Sequence, residues 1–498
     1  MSQYATNLST LPPELHLLIL KELIEAHNEP KSPRRGLASY ASVCRGWQAS
    51  FEPLIYKHFI LRPNDLESFR EVTEEPRRRR YVEHIWLRLD DPPLQVQYEM
   101  TKDSPGWSKQ YFTNVIQHLW TTLADWEAPD FDKKDQRRLT LEINSDRVFS
   151  PGPDPSPPDD LDHYSKYLES GSLEAYDDGE RFYYTKSERD NMKPNTVRNL
   201  FGRGAIFDTK VALPEVRVVT DFLTRRGTAR CVRPQLLGAA LRSLLRLRHA
   251  RIERWRNGLV RPESQWLSDM KSVFWHLPCS LKTLAIFEER GTENPRFNLI
   301  PKDEVVYAII LGAPELERLS LCFLIDAEKL LRRFIEGDRR SSALGVEPEY
   351  PLDGYQKLTT LTLTSENFKA DFVDDWDIES WLNHVKEVVK TAALAALRMP
   401  ELRLLEVWNS GGGTASILRY EVRDDNMAEL SWHSTQNCDP FDEGVEQVWR
   451  DVAERHGHQG LVASSSLLSG DFAYYSEAIS HLHSRDLVLH PVSAVQMA

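Results

Sequence analysis

Apolar residues in the second half of the chain repeat one spacing, in which an apolar residue is followed by others three and five positions later. The five instances begin at Leu247, Leu281, Leu316, Leu358 and Leu402, so neighbouring instances start 34, 35, 42 and 44 residues apart. Each instance predicts a short strand, and helical spacing predicts helices over 235–245, 263–277, 302–311 and 378–398. Because one strand–helix unit cannot bury its apolar face alone, the recurrence predicts stacked units that share a core.

Further elements are predicted on both sides of this repeat. Val82, Ile85 and Leu87 show the same spacing near the front, residues 139–143 and 216–219 predict strands, and residues 112–126 predict a helix. After the repeat, residues 416–422 and 427–433 predict an antiparallel hairpin, followed by helices over 441–456 and 476–484 and a last strand over 487–490. We interpret this last part as a cap on the stack. Residues 151–195 begin in a proline-rich, acidic stretch and predict a loop or disordered insertion.

The first sixty residues contain an unusually apolar helical pattern. Pro12 and Pro13 suit the first positions of a helix, where a missing N–H has no cost. The apolar side chains that follow mark two faces, Leu15, Leu18, Ile19 and Leu23 on the first and Leu17, Leu20 and Ile24 on the second. A helix that is apolar nearly all round must be covered nearly all round. Either a partner protein covers it, or it is the buried first helix of a larger domain.

A second helical pattern over 37–47 and a short third element over 51–59 follow. The residues Leu11-Pro12-x-Glu14-Leu15, Leu37, Val43-Cys44-Arg45-x-Trp47 and Pro53-Leu54-Ile55-Tyr56 resemble, in type and spacing, the three-helix F-box module. The resemblance covers residues 8–61. One departure from the motif is a polar, proline-containing insertion over 27–36, whose composition predicts an exposed loop.

The resemblance to F-box proteins implies a non-enzymatic role in a ubiquitin ligase complex of the Skp–cullin–F-box type. The module would dock on a Skp-type adaptor and through it on a cullin, while the rest of the chain holds an unknown target protein. Burial of apolar side chains would supply the docking surface. The adaptor-binding residues implied are Leu11, Pro12, Leu15, Ile19, Leu20, Val43 and Trp47. The alternative is a repeat-type interaction scaffold whose N-terminal helices only cap its own core.

The repeated strands resemble the Leu-x-x-Leu-x-Leu core of leucine-rich repeats, and the combination resembles fungal F-box proteins. We therefore expect a chain of class α+β or α/β, with a curved, mostly parallel sheet. The expected divisions are an F-box-like module over 8–61, first β-α units over 62–150, the insertion over 151–195, leucine-rich-repeat-like units over 196–410 and an α+β cap over 411–498. The spacings exceed the roughly 20 to 29 residues usual for leucine-rich repeats, which leaves an ordinary parallel α/β sheet as the alternative.

Composition narrows the classes of function. The chain has 498 residues, of which 41% are hydrophobic and 28% charged, and this predicts two or three globular domains. No apolar run approaches the roughly 18 residues of a membrane span, no signal peptide is visible, and the five cysteines form no Cys-x-x-Cys pair. We therefore expect a cytoplasmic or nuclear protein without membrane contact. A net charge of −13 argues against nucleic-acid binding.

The common motifs of catalysis and phosphate binding, among them Gly-x-x-x-x-Gly-Lys, His-Glu-x-x-His and Gly-x-Ser-x-Gly, do not occur in the sequence. We expect no enzymatic activity, no cofactor and no metal site. Residues 77–80 are four arginines, which predict a solvated turn or a phosphate contact. Arg248, Arg251 and Arg254 belong to a second arginine cluster, which would bind an acidic or phosphorylated target segment, because Arg pairs bidentately with carboxylate and phosphate. The alternative is internal pairing with the surplus acids of the chain.

Overall fold

Twelve strands of the computed structural model lie side by side in one sheet whose spatial order follows the chain order. The structure describes residues 12–28, 36–89, 107–126, 138–144, 161–173, 207–226, 232–255, 260–289, 303–312, 314–343, 355–370, 377–473 and 476–496. The strands are β1 (His58–Leu61), β2 (His84–Arg88), β3 (Thr140–Asn144), β4 (Asp221–Thr224), β5 (His249–Trp255), β6 (Thr283–Glu289), β7 (Arg318–Asp326), β8 (Thr360–Thr364), β9 (Leu404–Gly411), β10 (Thr414–Val422), β11 (Ala428–Ser434) and β12 (Leu461–Leu467). All neighbours pair in parallel except β10, which is antiparallel to β9 and β11. The fold is therefore mixed α/β with a mostly parallel sheet.

Helices precede, connect and follow these strands. They are α1 (Pro13–Asn28), α2 (Gly36–Ala41), α3 (Arg45–Ile55), α4 (Leu66–Val72), α5 (Pro76–Arg79), α6 (Trp107–Ala124), α7 (Leu161–Ser170), α8 (Pro234–Ser243), α9 (Val260–Trp275), α10 (Asp303–Gly312), α11 (Ala327–Ala343), α12 (Asp377–Ala396), α13 (Glu443–Arg455), α14 (Ser476–Ile479), α15 (Arg485–Val488) and α16 (Pro491–Val495). Short 3₁₀ helices span Pro63–Asp65 and Glu366–Phe368. Two of the longer helices begin with residues that favour a helix start. Proline starts α8, and the Asp442 carboxylate accepts the Val445 N–H at 2.9 Å before α13.

The repeated apolar spacing becomes rows of side chains that run across the sheet. Its second positions align in register as Ala250, Leu284, Leu319, Leu361 and Leu405. Its third positions align as Ile252, Ile286, Leu321, Leu363 and Val407. Both rows lie in the main core, beneath helices α6 and α8–α13. The first positions lie in the turns that precede the strands, where for example the Leu281 N–H donates to the Pro278 carbonyl at 3.0 Å. We call this array of strands and covering helices the βα ladder.

The opposite face of the sheet is buried as well. Alternate residues of a strand point to opposite faces, so Trp408 of β9 packs in a second cluster with Ile479, Leu482 and Val488. These three residues belong to the C-terminal segment, residues 476–496, which contains α14, α15 and α16. Helix α7 covers β2 on the same face, where the Tyr164 and Trp86 rings meet at 5.0 Å. The sheet is thus covered by helices on one face and by α7 and the C-terminal segment on the other.

Several sequence predictions are wrong in detail. Residues 216–219 do not form a strand, since Val216 makes only an isolated bridge to Leu244 and β4 begins at Asp221. The predicted last strand over 487–490 does not form, since α15 ends at Val488 within this range. The predicted helix over 476–484 is helical only through α14. The disordered insertion is wrong over residues 161–173, because α7 forms there with Tyr164 fully buried. The rest of the insertion lies outside the described residues.

Several further elements were not predicted, among them α5, α11, α16 and β12. Helix α11 was missed because its apolar residues, among them Leu330, Leu331 and Phe334, are confined to its first half. Strand β12 was missed because three of its seven residues are serines. It pairs in parallel with β11, so the sheet continues beyond residue 411, where a separate cap was expected.

Among the described residues, no helix combines the length and the apolar content that crossing a lipid bilayer requires.

Two helical glycines give a matched test of the packing between ladder helices. A Cβ at Gly312, the last residue of α10, would fall far inside van der Waals contact with the Phe274 carbonyl oxygen of α9, whereas a Cβ at Gly238 of α8 would lie 3.7 Å from Val273 Cγ2. We expect Gly312→Ala to lower the free energy of unfolding by about 1–3 kcal/mol. Gly238→Ala should leave it unchanged or raise it by up to about 1 kcal/mol through helix propensity. Urea unfolding measures both, and equal effects would contradict the close approach.

Candidate functional surfaces

The first three helices form a module with a core of its own. The side chains of Leu20, Leu37, Trp47 and Phe51 are buried together, and this cluster is distinct from the main core of the ladder. Aromatic contacts stiffen it, with the rings of Tyr40 and Phe51 at 5.4 Å and those of Trp47 and Phe51 at 5.8 Å. We call α1, α2 and α3 the N-terminal module. Its helices therefore pack on one another rather than extending the core of the ladder.

Large apolar side chains remain on the outside of this module. Leu15 and Leu18 are 46% and 52% exposed, Val43 is 52% exposed and Leu54 is 38% exposed. Leu15 and Leu18 lie three residues apart and so share one face of α1. Single exposed leucines are ordinary on a surface, whereas several exposed apolar side chains on one small module are a common feature of partner-binding surfaces.

The structure separates the predicted adaptor-binding residues into two groups. Pro12, Leu15 and Val43 are exposed, and Ile19 is half-buried. Leu20 and Trp47 instead belong to the core of the module, so their role is to hold its shape. Leu11 lies outside the described residues, as does most of the predicted loop over 27–36. Leu18 and Leu54 were not singled out as contact residues, although the spacing of Leu18 from Leu15 was a usable signal.

Val43 owes its exposure to a break that was not predicted. The helical pattern over 37–47 is divided, because α2 ends at Ala41 and α3 begins at Arg45. The Val43 N–H donates to the Tyr40 carbonyl at 3.1 Å, which closes the turn between the two helices. A turn position projects the valine away from the module core.

A buried carboxylate attaches the module to α5, the short helix that precedes β2. Glu52 of α3 is 2% exposed and accepts Arg77 Nη2 at 2.6 Å and Gln48 Nε2 at 2.9 Å, with Arg78 Nε at 3.4 Å. Arg79 donates to the backbone carbonyl of Thr73 at 2.6 Å. The run of arginines over 77–80, predicted to be a solvated turn, therefore makes internal contacts that join α3 to α5.

The second arginine cluster does not form one target-binding surface. Arg254 is buried and pairs with Glu263 at 2.5 Å and Glu288 at 2.9 Å, so for this residue the internal-pairing alternative holds. Arg251 lies on the other face of β5, where it donates to the Asp486 backbone carbonyl. Arg248 precedes β5 and is exposed. Alternation along the strand thus sends neighbouring arginines to different faces, and the prediction of a shared surface is wrong.

A cluster of charged residues is buried beneath α7. Glu142 of β3 is fully buried. One of its carboxylate oxygens accepts Arg225 Nε at 2.7 Å and the Asn144 amide at 2.8 Å. The other accepts the Tyr164 hydroxyl at 2.7 Å and lies 3.0 Å from His84 Nε2. Burial alone would raise the pKa of this carboxyl. The Arg225 charge and the hydrogen bonds from His84 and Tyr164 outweigh burial and hold its pKa at about 2. The cluster is an internal, ionised anchor.

Glu253 of β5 holds the start of α16. It accepts the His490 N–H and the Ser493 hydroxyl, both at 2.5 Å, and the Arg226 N–H at 3.3 Å. Burial raises the pKa of this carboxyl, and the Arg251 charge opposes the shift. A carboxylate at the N-terminus of a short helix accepts hydrogen bonds from the backbone N–H groups that have no partner within the helix.

Glu406 of β9 does the same for α15. It accepts the Ser484 N–H at 2.9 Å, the Ser484 hydroxyl at 2.5 Å and Arg419 Nε at 2.7 Å. Thr362 of β8 also donates to the Ser484 hydroxyl, at 2.8 Å. Since a buried charge is stable only when paired, these glutamates fix where the C-terminal segment lies. Their burial was not predicted, because a polar residue between apolar ones in a strand predicts a solvated face.

A groove lies between α8 and α9. Its lining residues include Gln235, Arg242, Lys271, Trp275 and His276. The Trp275 side chain is 45% exposed. Exposed tryptophan and arginine are the residue types that most often anchor protein partners. Among the described residues, no cluster of three or more His, Cys, Asp or Glu side chains is placed to hold a metal ion.

Lowering the pH should destabilise the folded chain first through protonation of His58 in the unfolded state, and only at lower pH through protonation of carboxylates. Burial, with the nearby His84 and Lys57, lowers the pKa of His58 from 6.5 to about 3. Below pH 6.5 His58 therefore binds a proton in the unfolded chain but stays neutral in the folded chain. The free energy of unfolding consequently falls as the pH is lowered. Between pH 7.5 and 5 the loss from this residue is about 2 kcal/mol. Glu142, with a folded pKa of about 2 against 4.5, adds a loss only below about pH 4.5. Urea unfolding of wild type and His58→Asn at both pH values measures this difference, and identical losses would contradict it.

Comparison with known proteins gives one family match. A family model described as a family of unknown function (DUF6546) matches residues 276–490. The matched range begins just before β6 and extends through α15, so it contains the second half of the ladder and most of the C-terminal segment. No curated protein matches the chain.

Proposed function

We propose that this chain is the substrate-recognition subunit of a Skp–cullin–F-box ubiquitin ligase. The observation that carries the proposal is the N-terminal module, three helices with their own core that leave Leu15, Leu18 and Val43 exposed. The resemblance of its sequence to an F-box supports the same interpretation. In this role the chain binds two proteins and catalyses no reaction, and the cytoplasm or nucleus is where such a complex would act.

The module would bind a Skp-type adaptor mainly by burying these side chains. Full burial of a leucine or valine is worth roughly 1.5–3 kcal/mol. Three or four such anchors would together offset the cost of association that every complex meets. Leu20 and Trp47 would contribute indirectly, by keeping α1 and α3 in place.

The ladder would hold the target protein. Its in-register rows of apolar residues and its helices on one face support a leucine-rich-repeat-like array with long repeats. The opposite face of the strands is covered by α7 and the C-terminal segment, so we place target binding on the helical side, where the groove at Trp275 offers an exposed aromatic anchor. A Skp–cullin complex would then bring the ubiquitin-transfer subunits to that target.

Adaptor binding is tested by charging the exposed face of α1. The variant Leu15→Asp/Leu18→Asp changes residues outside the module core and should fold normally, yet lose binding to recombinant Skp adaptor by at least about 100-fold, since two anchors are lost. Leu394→Asp is a matched control, because Leu394 is 42% exposed on the distant helix α12. Isothermal titration of all three proteins decides the matter. Wild type without affinity for the adaptor, or equal binding by the double variant, would refute the proposal.

Removal of the module separates the proposal from the scaffold alternative. Deleting residues 1–56 leaves β1 in place. Among the described residues, the deletion removes the contacts of Glu52 with Arg77 and Arg78 and those of the Tyr56 ring with Phe59 and Arg78. We expect the remainder to unfold cooperatively in thermal melting, with a midpoint a few degrees lower. A scaffold whose core needs its N-terminal helices as a cap would instead lose cooperative unfolding.

A further inference from the structure

Strand β12 leaves one edge of the sheet open. It is the last strand in the order, and it is paired along all seven residues with β11 on its inner side. Its outer side carries no strand of the described chain. Val462 is 47% exposed and Leu467 is 64% exposed. A long edge with exposed apolar side chains is a template for pairing with another strand.

This edge lacks the features that usually prevent such pairing. Natural edge strands carry lysine, proline or a bulge, or they are very short. Strand β12 reads Leu-Val-Ala-Ser-Ser-Ser-Leu, with no charge, no proline and no interruption of its register. By contrast β1, at the other edge, has four residues and follows directly after α3. The two edges of the sheet are therefore not equivalent.

The backbone of β12 is oriented to accept a further strand. The Leu468 N–H donates inward to Ser434 O at 2.8 Å, and Gly460 O accepts the Ala428 N–H at 3.0 Å. Backbone groups alternate in direction along a strand, so the even-numbered residues bond to β11. The N–H and C=O groups of Leu461, Ala463, Ser465 and Leu467 therefore point away from the sheet.

We propose that two copies of this chain join through β12, antiparallel, about a two-fold axis at Ser464. A two-fold axis perpendicular to the sheet makes each face of one copy continuous with the same face of the other copy. Facing residues must therefore point to the same face, so even-numbered residues oppose even-numbered residues and odd-numbered residues oppose odd-numbered ones. In the register centred on Ser464, Leu461 opposes Leu467 of the second copy and Ala463 opposes Ser465. These are the residues whose backbone groups point outward, and the exposed Leu467 meets another leucine.

A second copy fits this edge better than a head-to-tail arrangement does. None of the seven residues of β12 is charged, so self-pairing brings no like charges of the two strands face to face. The nearby Asp439 carboxylate accepts the Ser465 hydroxyl at 2.7 Å. Pairing β12 with β1 of the next copy would run parallel and never close, giving an open filament, whereas the two-fold arrangement closes. It also places the two N-terminal modules at the far ends of a continuous sheet. The proposal does not depend on the function of those modules.

Cysteine cross-linking tests the register directly. In the proposed dimer Ser464 faces Ser464 as a non-hydrogen-bonded pair, with Cα atoms about 4.5 Å apart, which a disulfide can span. Val462 would lie about 14 Å from its own counterpart, beyond that reach. Under mild oxidation Ser464→Cys should therefore form a disulfide-linked dimer and Val462→Cys should not. Wild type sets the background, since Cys44 and Cys279 are exposed.

Sedimentation of the intact chain gives a second readout. We expect reversible dimers at about micromolar concentration and above, because an edge contact is smaller than a standard interface. Ser464→Lys places two like charges directly opposite each other and should raise the dissociation constant at least tenfold. Wild type that stays monomeric up to about 100-fold higher concentration, or equal cross-linking of both cysteine variants, would overturn the proposal.

Discussion

Burial of both faces of the sheet is the constraint on which the rest of the structure depends. Parallel strands are stable only when each face is covered. Helices α6 and α8–α13 cover one face with apolar contacts that run the length of the ladder. The other face is covered by α7 and the C-terminal segment, and there the contacts include the buried carboxylates of Glu142, Glu253 and Glu406. Paired charges specify one position of the covering segment, whereas apolar contacts alone tolerate several.

That constraint also determines which strand edges of the sheet stay open. Between the ends, each strand is occupied by two neighbouring strands and two covering layers. At the first end the sheet is joined through Glu52 to a module whose apolar surface remains exposed. At the last end β12 has one free side. Among the described residues, large apolar side chains therefore stay exposed on the N-terminal module and on β12, and also at Trp275 and Leu394 on the helical side of the ladder.

The sequence predicted the elements that depend on local pattern and missed those that depend on distant residues. Leu284 and Leu361 could be placed in strands because their spacing recurs, and the Asp/Asn-rich turn identified the β10–β11 hairpin. For the module, helical spacing marked the exposed face that carries Leu15 and Leu18. Burial of Glu406 could not be predicted, because it depends on a segment nearly eighty residues later returning to cover it. Trp275 looked like any apolar residue of an amphipathic helix, since exposure is a property of the folded chain.

Amide hydrogen–deuterium exchange of the full chain, with and without a recombinant Skp-type adaptor, tests whether the N-terminal module is a docking unit separate from the βα ladder. We expect exchange to slow in α1 and in the α2–α3 turn when the adaptor is added, while exchange in β5–β9 stays unchanged. Unaltered exchange throughout residues 12–55, or slowing confined to the ladder, would contradict it.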